Sequence, residues 1–143
     1  GASLFGGVAG HAGLFSNAYD LSMLYQLLLQ KGTFNGRRYL RESTVSLFTA
    51  YQLENSRRGL GFDKPEKDNQ FKKDPYPSLL ASDQTFGHTG FTGTCVWVDP
   101  KQELVYVFLS NRVNPTRDNN LIGQLQIRGR IQDAIYRAIG ADE

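Results

Sequence analysis

The chain has 143 residues, 40% of them hydrophobic and 21% charged, and a formal net charge of +2. That is one domain's worth of ordinary soluble globular protein, long enough to bury a core, and it excludes a disordered chain. The basic residues stand in short pairs, Arg57-Arg58 and Lys72-Lys73, which read as solvated surface and not as a nucleic-acid stripe.

The lone cysteine, Cys95, leaves no internal disulfide to form and lies in a run that reads as a core strand, where a thiol behaves as a small hydrophobe. No stretch approaches the roughly 20 apolar residues of a membrane span. The opening Gly1-Ala2-Ser3 carries no Met and lacks the basic region and apolar run of a signal peptide. It reads as a processing boundary, with the parent's address encoded upstream.

Residues 1–10 are rich in glycine and apolar side chains, which predicts an irregular, partly buried lead-in. Ser16 is placed to cap a helix, with Asp20 near the positive end of its dipole. Leu21, Leu24, Tyr25 and Leu28 then recur at helical spacing, and Gly32 ends the helix. Asn35-Gly36 marks a turn, and Glu42 to about Tyr51 reads as a second helix with Val45, Phe48 and Thr49 on one side. Gly59 to Asp63 reads as a short strand. Lys64 to Asp83, polar and holding Pro65, Pro75 and Pro77, reads as a long surface loop.

Three strands follow: Phe86 to Thr89, Cys95 to Val98, and Leu104 to Leu109. Asp99-Pro100-Lys101-Gln102 joins the last two as a hairpin, with proline where a type I turn favours it. Leu104-Val105-Tyr106-Val107-Phe108-Leu109 is apolar on both alternating faces, so helices are expected on both sides of the sheet. One of them is the closing helix, about Ile122 to Ile139, with a stripe of Ile127, Ile131, Ala134, Ile135 and Ala138. The order predicts a single α+β domain over residues 1–143, an antiparallel sheet flanked by helices.

Thr85 to Pro100 is the stretch richest in chemistry. His88-Thr89-Gly90 at a strand end offers an imidazole, a hydroxyl and a bare backbone at one spot. Neither histidine has a partner at metal-ligand spacing, no carboxylate pair suits glycoside hydrolysis, and no phosphate-cradling glycine loop occurs. No metal and no cofactor are expected.

Four segments carry a resemblance to a known family. Gly10-His11-Ala12-Gly13-Leu14-Phe15-Ser16-Asn17-Ala18-Tyr19-Asp20-Leu21-Ser22 resembles the Gly-Gly-Leu-x-Ser-Thr-x-x-Asp-Leu segment of the serine β-lactamase and penicillin-binding protein superfamily, in its class C-like and esterase-like branch. Leu60-Gly61-Phe62 resembles its Gly-Leu-Gly-aromatic segment. Phe86-Gly87-His88-Thr89-Gly90 resembles its third motif, Lys-Thr-Gly on a strand, with histidine in place of lysine. Phe108-Leu109-Ser110-Asn111-Arg112 resembles the end of the strand before its C-terminal helix.

The resemblance implies a partial β-lactamase/transpeptidase-like fold and a parent that forms an acyl-enzyme with an ester, amide or lactam. It makes His88, Thr89, Gly90 and Phe91 the substrate-binding residues, with the backbone at Gly90 to Phe91 helping to hold an oxyanion. It also implies a periplasmic or cell-envelope location. No Ser-x-x-Lys occurs at any of the nine serines, so no catalytic residue is assigned in this chain. Tyr76-Pro77-Ser78 and Ser82-Asp83-Gln84 imitate the second motif, but the family places that motif earlier in the chain, so both read as loop coincidences.

The chain therefore reads as the C-terminal portion of a serine hydrolase domain whose nucleophile lies in an absent N-terminal part. The alternative is a non-catalytic module fused behind a family 3 glycoside hydrolase of the β-N-acetylglucosaminidase kind, binding cell-wall glycopeptide or packing on its neighbour. In the family's sheet the strand at Leu104–Leu109 pairs with one from the N-terminal part, which predicts an open edge and self-association through it. Lysine would keep a fixed positive charge for a substrate carboxylate, whereas an ordinary histidine is mostly neutral at pH 7, which tilts the reading toward a peptidase or esterase-like activity, or toward none.

Overall fold

The computed structural model describes residues 2–10 and 12–141. Gly1, Asp142 and Glu143, at the ends of the expected domain, and His11, within the first family-like segment, lie outside the described residues. Helix α1 spans Ala18–Leu29. Its cap is Asn17 and not Ser16: the Asn17 side-chain oxygen accepts from the Asp20 amide at 3.0 Å, while the Ser16 hydroxyl donates to the Asn17 carbonyl. At the other end Lys31 takes the left-handed conformation, and the amides of Lys31 and Gly32 return to Leu28 and Leu27 as a Schellman closure. Gly32 is required there, because its φ is +89° and a Cβ would strike the Leu40 carbonyl.

Asn35 and Gly36 both have positive φ and join two two-residue strands, β1 (Thr33–Phe34) and β2 (Arg37–Arg38), as a tight hairpin. Helix α2 follows at Glu42–Thr49 with Val45 buried. The main sheet is antiparallel, in the order β3 (Phe86–Thr89), β4 (Cys95–Asp99), β5 (Leu104–Phe108). Opposed residues share a face, so Trp97 with Tyr106 and Cys95 with Phe108 look one way while Val96 and Val98 look the other. A short helix α3 (Leu121–Gln124) precedes α4 (Ile127–Ala138), the two separated by Gln126 at φ +50°.

Helices cover both faces. On one, Ile135 of α4 and Tyr76 pack against the cluster of Cys95, Trp97 and Tyr106. Trp97 is 1% exposed, and burying a side chain of that size contributes roughly 2–3 kcal/mol. On the other, α1 packs against β4 and β5, and Leu28 and Leu29 share a cavity of about 380 Å³ with Val45, Tyr51 and Phe86. The expected α+β architecture holds.

Five local expectations fail for identifiable reasons. The lead-in hides none of its large apolar side chains: Ala2, Gly7 and Ala9 are partly covered, but Ala2–Phe5 forms a 3-10 turn whose Leu4 and Phe5 stay exposed, as does Val8. Leu24, expected on the apolar face of α1, is exposed. Residues 59–63 form no strand, only bridges from Asp63 to Arg58 and Gly87. The stretch 64–83 is pinned: Asn69 donates to the Ser78 carbonyl and accepts from the Tyr76 amide, and Lys64, Asn69 and Ser78 are buried. Finally, α4 presents Gln132, Asp133 and Tyr136 inward and leaves Ile131, Ala134 and Ala138 exposed. Polar contacts set that rotation. Asp133 accepts the amides of Leu79 and Leu80, and the Tyr136 hydroxyl donates to Asp99 at 2.7 Å.

Candidate functional site

The end of β3 is shaped by glycines. A Cβ at Gly87 would overlap the Val96 carbonyl and crowd Trp97, so only glycine lets β3 and β4 lie this close. The Gly90 amide donates to the Thr94 carbonyl at 2.7 Å and the Gly93 amide to the Gly90 carbonyl at 3.0 Å, closing a tight connection from β3 to β4. Gly93 has a φ of +101° and rests against the Ser110 hydroxyl.

His88 and Thr89 are neighbours on this strand, so their side chains leave it in opposite directions. His88 pairs with Val96 across the sheet and is half-exposed, whereas Thr89 pairs with Cys95 on the Trp97 face. Thr89 lines a cavity of about 200 Å³ with Tyr76, Trp97, Gln126 and Arg128. The imidazole and hydroxyl thus share an edge of the sheet and not a single spot, which corrects the sequence expectation. What they have in common is the backbone that continues into Gly90 and Phe91.

Phe91 is exposed, and its amide has no hydrogen-bond acceptor among the described residues. Its carbonyl is occupied, accepting from Arg112 Nε at 2.7 Å, and the Arg112 guanidinium also stacks on the Phe91 ring. Arg112 Nη1 donates further to the carbonyls of Arg117 and Asn119, so this one side chain ties the turn after β3 to the segment before α3. The Ser110-Asn111-Arg112 landmark is therefore adjacent to His88-Thr89-Gly90 in space, 22 residues apart in sequence when Arg112 is counted from Gly90.

A charged cluster adjoins His88. Asp63 pairs with Gly87 through both backbone bonds, at 2.7 and 3.0 Å, and its side chain is only 2% exposed. Its carboxylate meets Arg57 Nη2 at 3.5 Å, Arg58 Nη1, and the Tyr76 hydroxyl at 2.6 Å. His88 Nε2 lies 3.2 Å from Arg58 Nη1, and His88 Nδ1 lies 2.6 Å from the Thr89 carbonyl. Arg57 continues to Glu66 at 3.0 Å and lies over the Tyr76 ring. Reading Arg57-Arg58 as solvated surface missed this cluster. The signal was the short Gly59-Leu60-Gly61-Phe62 spacer, whose turn sets Arg58 opposite Asp63.

The imitations of the second motif serve as structure. The Tyr76 hydroxyl donates to Asp63, and burial together with that carboxylate pushes its pKa up, so it is no proton acceptor. Ser78 is buried. Ser82 donates to Asp99 at 2.6 Å and fixes the approach to β3. Burial pushes the Cys95 thiol up to about 11, so it is an inert core group, as expected. Among the described residues no cluster of His, Cys, Asp and Glu suits a metal ion.

Comparison with known proteins gives concordant results. A protein-family model described as Beta-lactamase matches residues 2–128. An Escherichia coli (strain K12) protein named "Putative D-alanyl-D-alanine carboxypeptidase" is 37% identical over 143 residues, covering 94% of this chain and 32% of that protein. A Salmonella enteritidis protein of the same name is 35% identical over 132 residues, covering 92% of this chain and 30% of its own length. The chain thus spans about a third of the curated relatives it matches. Among solved structures, a beta-lactamase from Mycobacterium bovis superposes with a TM-score of 0.64 at 24% identity, over 87% of this chain and 44% of that one.

Proposed function

Because this chain belongs to the Beta-lactamase family, we propose that the end of β3 is one wall of an acyl-transfer pocket in a serine hydrolase of the cell envelope. The observation that carries this reading is the Phe91 amide, unpaired among the described residues, beside His88-Thr89-Gly90 and on a backbone that Arg112 holds in place. A free N–H at a rigid strand end stabilises the oxygen of a tetrahedral intermediate, because a preorganised donor needs no reorganisation as charge develops. His88 and Thr89, on opposite sides of that strand, orient a substrate laid along the edge, and the exposed Phe91 ring borders it. The bond under attack is an ester, an amide or a lactam. The names of the E. coli and Salmonella relatives favour a peptide ending in D-alanyl-D-alanine.

The nucleophile is supplied by an N-terminal portion of the parent chain, since no Ser-x-x-Lys occurs among these 143 residues. Alone, the chain is inactive. Mixing it with the separately prepared remainder of its parent is expected to produce hydrolysis of a D-alanyl-D-alanine peptide or a short ester. Thr89→Val and His88→Ala should each lower that rate at least tenfold. An unchanged rate in both variants would overturn the assignment of this wall.

The missing nucleophile also supports a second reading, an accessory module behind a β-N-acetylglucosaminidase of glycoside hydrolase family 3. Upstream sequence separates the two: intact Ser-x-x-Lys and Tyr-x-Asn motifs favour the hydrolase, degraded ones the module. In either case the partner of β5 is the N-terminal part of the parent or a second copy of this chain. No strand pairs with the outer edge of β5 among the described residues, and open apolar edges recruit strands.

A further inference from the structure

The Asp63 cluster has no part in the acyl chemistry proposed above, yet it reaches His88 Nε2 twice, through Arg58 Nη1 at 3.2 Å and more distantly through Asp63 Oδ1 at 4.0 Å. A carboxylate 2% exposed is costly to bury unless opposite charge and hydrogen bonds compensate it, and here two guanidinium groups and a phenol converge on it. Arg57 is committed on its far side to Glu66 and to the Tyr76 ring. Arg58 is not: its side chain is 55% exposed and lies against the imidazole of the site strand.

The chemistry of that contact fixes a proton. An arginine nitrogen only donates, so His88 Nε2, 3.2 Å from Arg58 Nη1, must accept. A carbonyl oxygen only accepts, so His88 Nδ1, 2.6 Å from the Thr89 carbonyl, must donate. Both contacts select the same tautomer, with the proton on Nδ1. Neither arginine could hold this position by itself on an exposed loop. The Asp63 carboxylate orients Arg58, and the paired backbone bonds to Gly87 fix Asp63 to the residue before His88.

We propose that Asp63 and Arg58 are positioning residues for His88: the buried carboxylate holds the guanidinium, which locks the imidazole as its Nδ1–H tautomer. Two consequences follow, and they rest on reading β3 as a pocket wall. Nε2 carries no proton to deliver to a leaving group and its one lone pair is held by Arg58, so His88 acts through the position of its ring and not as an acid or base. Arg58 supplies the permanent positive charge that a lysine in the third motif would otherwise bring.

The tautomer itself is measurable without turnover. Long-range 1H–15N correlation spectra of the 15N-labelled 143-residue chain report which ring nitrogen is protonated, and a His11→Gln variant assigns the two histidines. The expected result is an unprotonated Nε2 and a protonated Nδ1 for His88. Arg58→Ala, at a half-exposed position, should lose the single tautomer while Trp97 fluorescence stays native, and Arg58→Lys should restore it in part. Asp63→Asn should reproduce the loss seen in Arg58→Ala. A protonated Nε2 in the parent chain, or an unchanged tautomer in Arg58→Ala, would overturn the proposal. A locked tautomer together with a reconstituted enzyme indifferent to His88 and Thr89 would instead overturn the pocket reading and leave the positioning pair standing.

Discussion

The two edges of the sheet are built in opposite ways. Beyond β3 the edge is closed by Asp63, whose backbone pairs with Gly87 and whose side chain gathers Arg57, Arg58 and Tyr76. Beyond β5 no strand pairs with the edge among the described residues, and Leu104, Val105, Val107 and Phe108 stay half-buried. A strand edge bridged by backbone and studded with charge turns other strands away. A strand edge that is apolar and bare is one prepared to receive another strand. The same sheet thus carries a finished side and an unfinished one, and His88-Thr89-Gly90 lies on the finished side.

The hardest way to break that contrast is to spoil the β3–β4 seam. Gly87→Ala places a methyl on the Val96 carbonyl and against Trp97, which no rotamer relieves. The expected cost is about 3 kcal/mol or more, read as a lowered denaturation midpoint at unchanged slope. Next comes Asp63→Ala, which leaves two guanidinium groups facing each other. Both reach solvent, so the expected cost is about 2 kcal/mol, less than for a deeply buried pair. A loss under about 0.5 kcal/mol in urea melts would mean that the cluster contributes little to the closed edge.

Lys64 sharpens the contrast by pH. It follows Asp63, lies buried under the approach to β3, and donates to the Thr85 carbonyl at 3.1 Å. Burial lowers its pKa to about 8 from 10.5. The unfolded chain therefore binds the extra proton between those values, and the Lys64 contribution to stability rises with pH across that window. Tyr76, Tyr106 and Tyr136 act in the opposite sense above about pH 10, because burial raises each of them and the folded state keeps its phenol protons longer. Melting temperatures from pH 7.5 to pH 9.5 should rise less steeply in Lys64→Met than in the parent. Parallel curves would show that Lys64 is not strained by its burial.

The gentlest test sits on the bare edge. Leu109, 41% exposed just past β5, can take a charge without disturbing the core. Leu109→Lys should shift sedimentation toward the monomer at high concentration while moving stability by no more than about 0.5 kcal/mol. A parent chain already monomeric at high concentration would remove the need for any partner at this edge.

Much of this was legible in the sequence wherever local pattern decides. The strands at residues 86–89, 95–99 and 104–108, the Asn35-Gly36 turn and the glycine-bounded His88-Thr89 follow from alternation and turn chemistry. What escaped depends on residues far apart in the chain. The inward face of α4 is chosen by Asp99 and by the amides of Leu79 and Leu80, so an isoleucine stripe misled. Arg57-Arg58 looked like surface because the partner that draws them in, Asp63, is itself held by Gly87, 24 residues later. Opposite faces for His88 and Thr89 were available from strand periodicity, but the tripeptide invited treatment as one unit.

The central claim is that this chain carries the substrate-orienting wall of an acyl-transfer site and not the nucleophile. Intact-mass measurement after incubation with a chromogenic lactam and an activated short ester tests it most directly. The expected result is an unmodified mass and no turnover above the buffer rate. A stoichiometric acyl adduct on any of its serines, or measurable turnover, would contradict it.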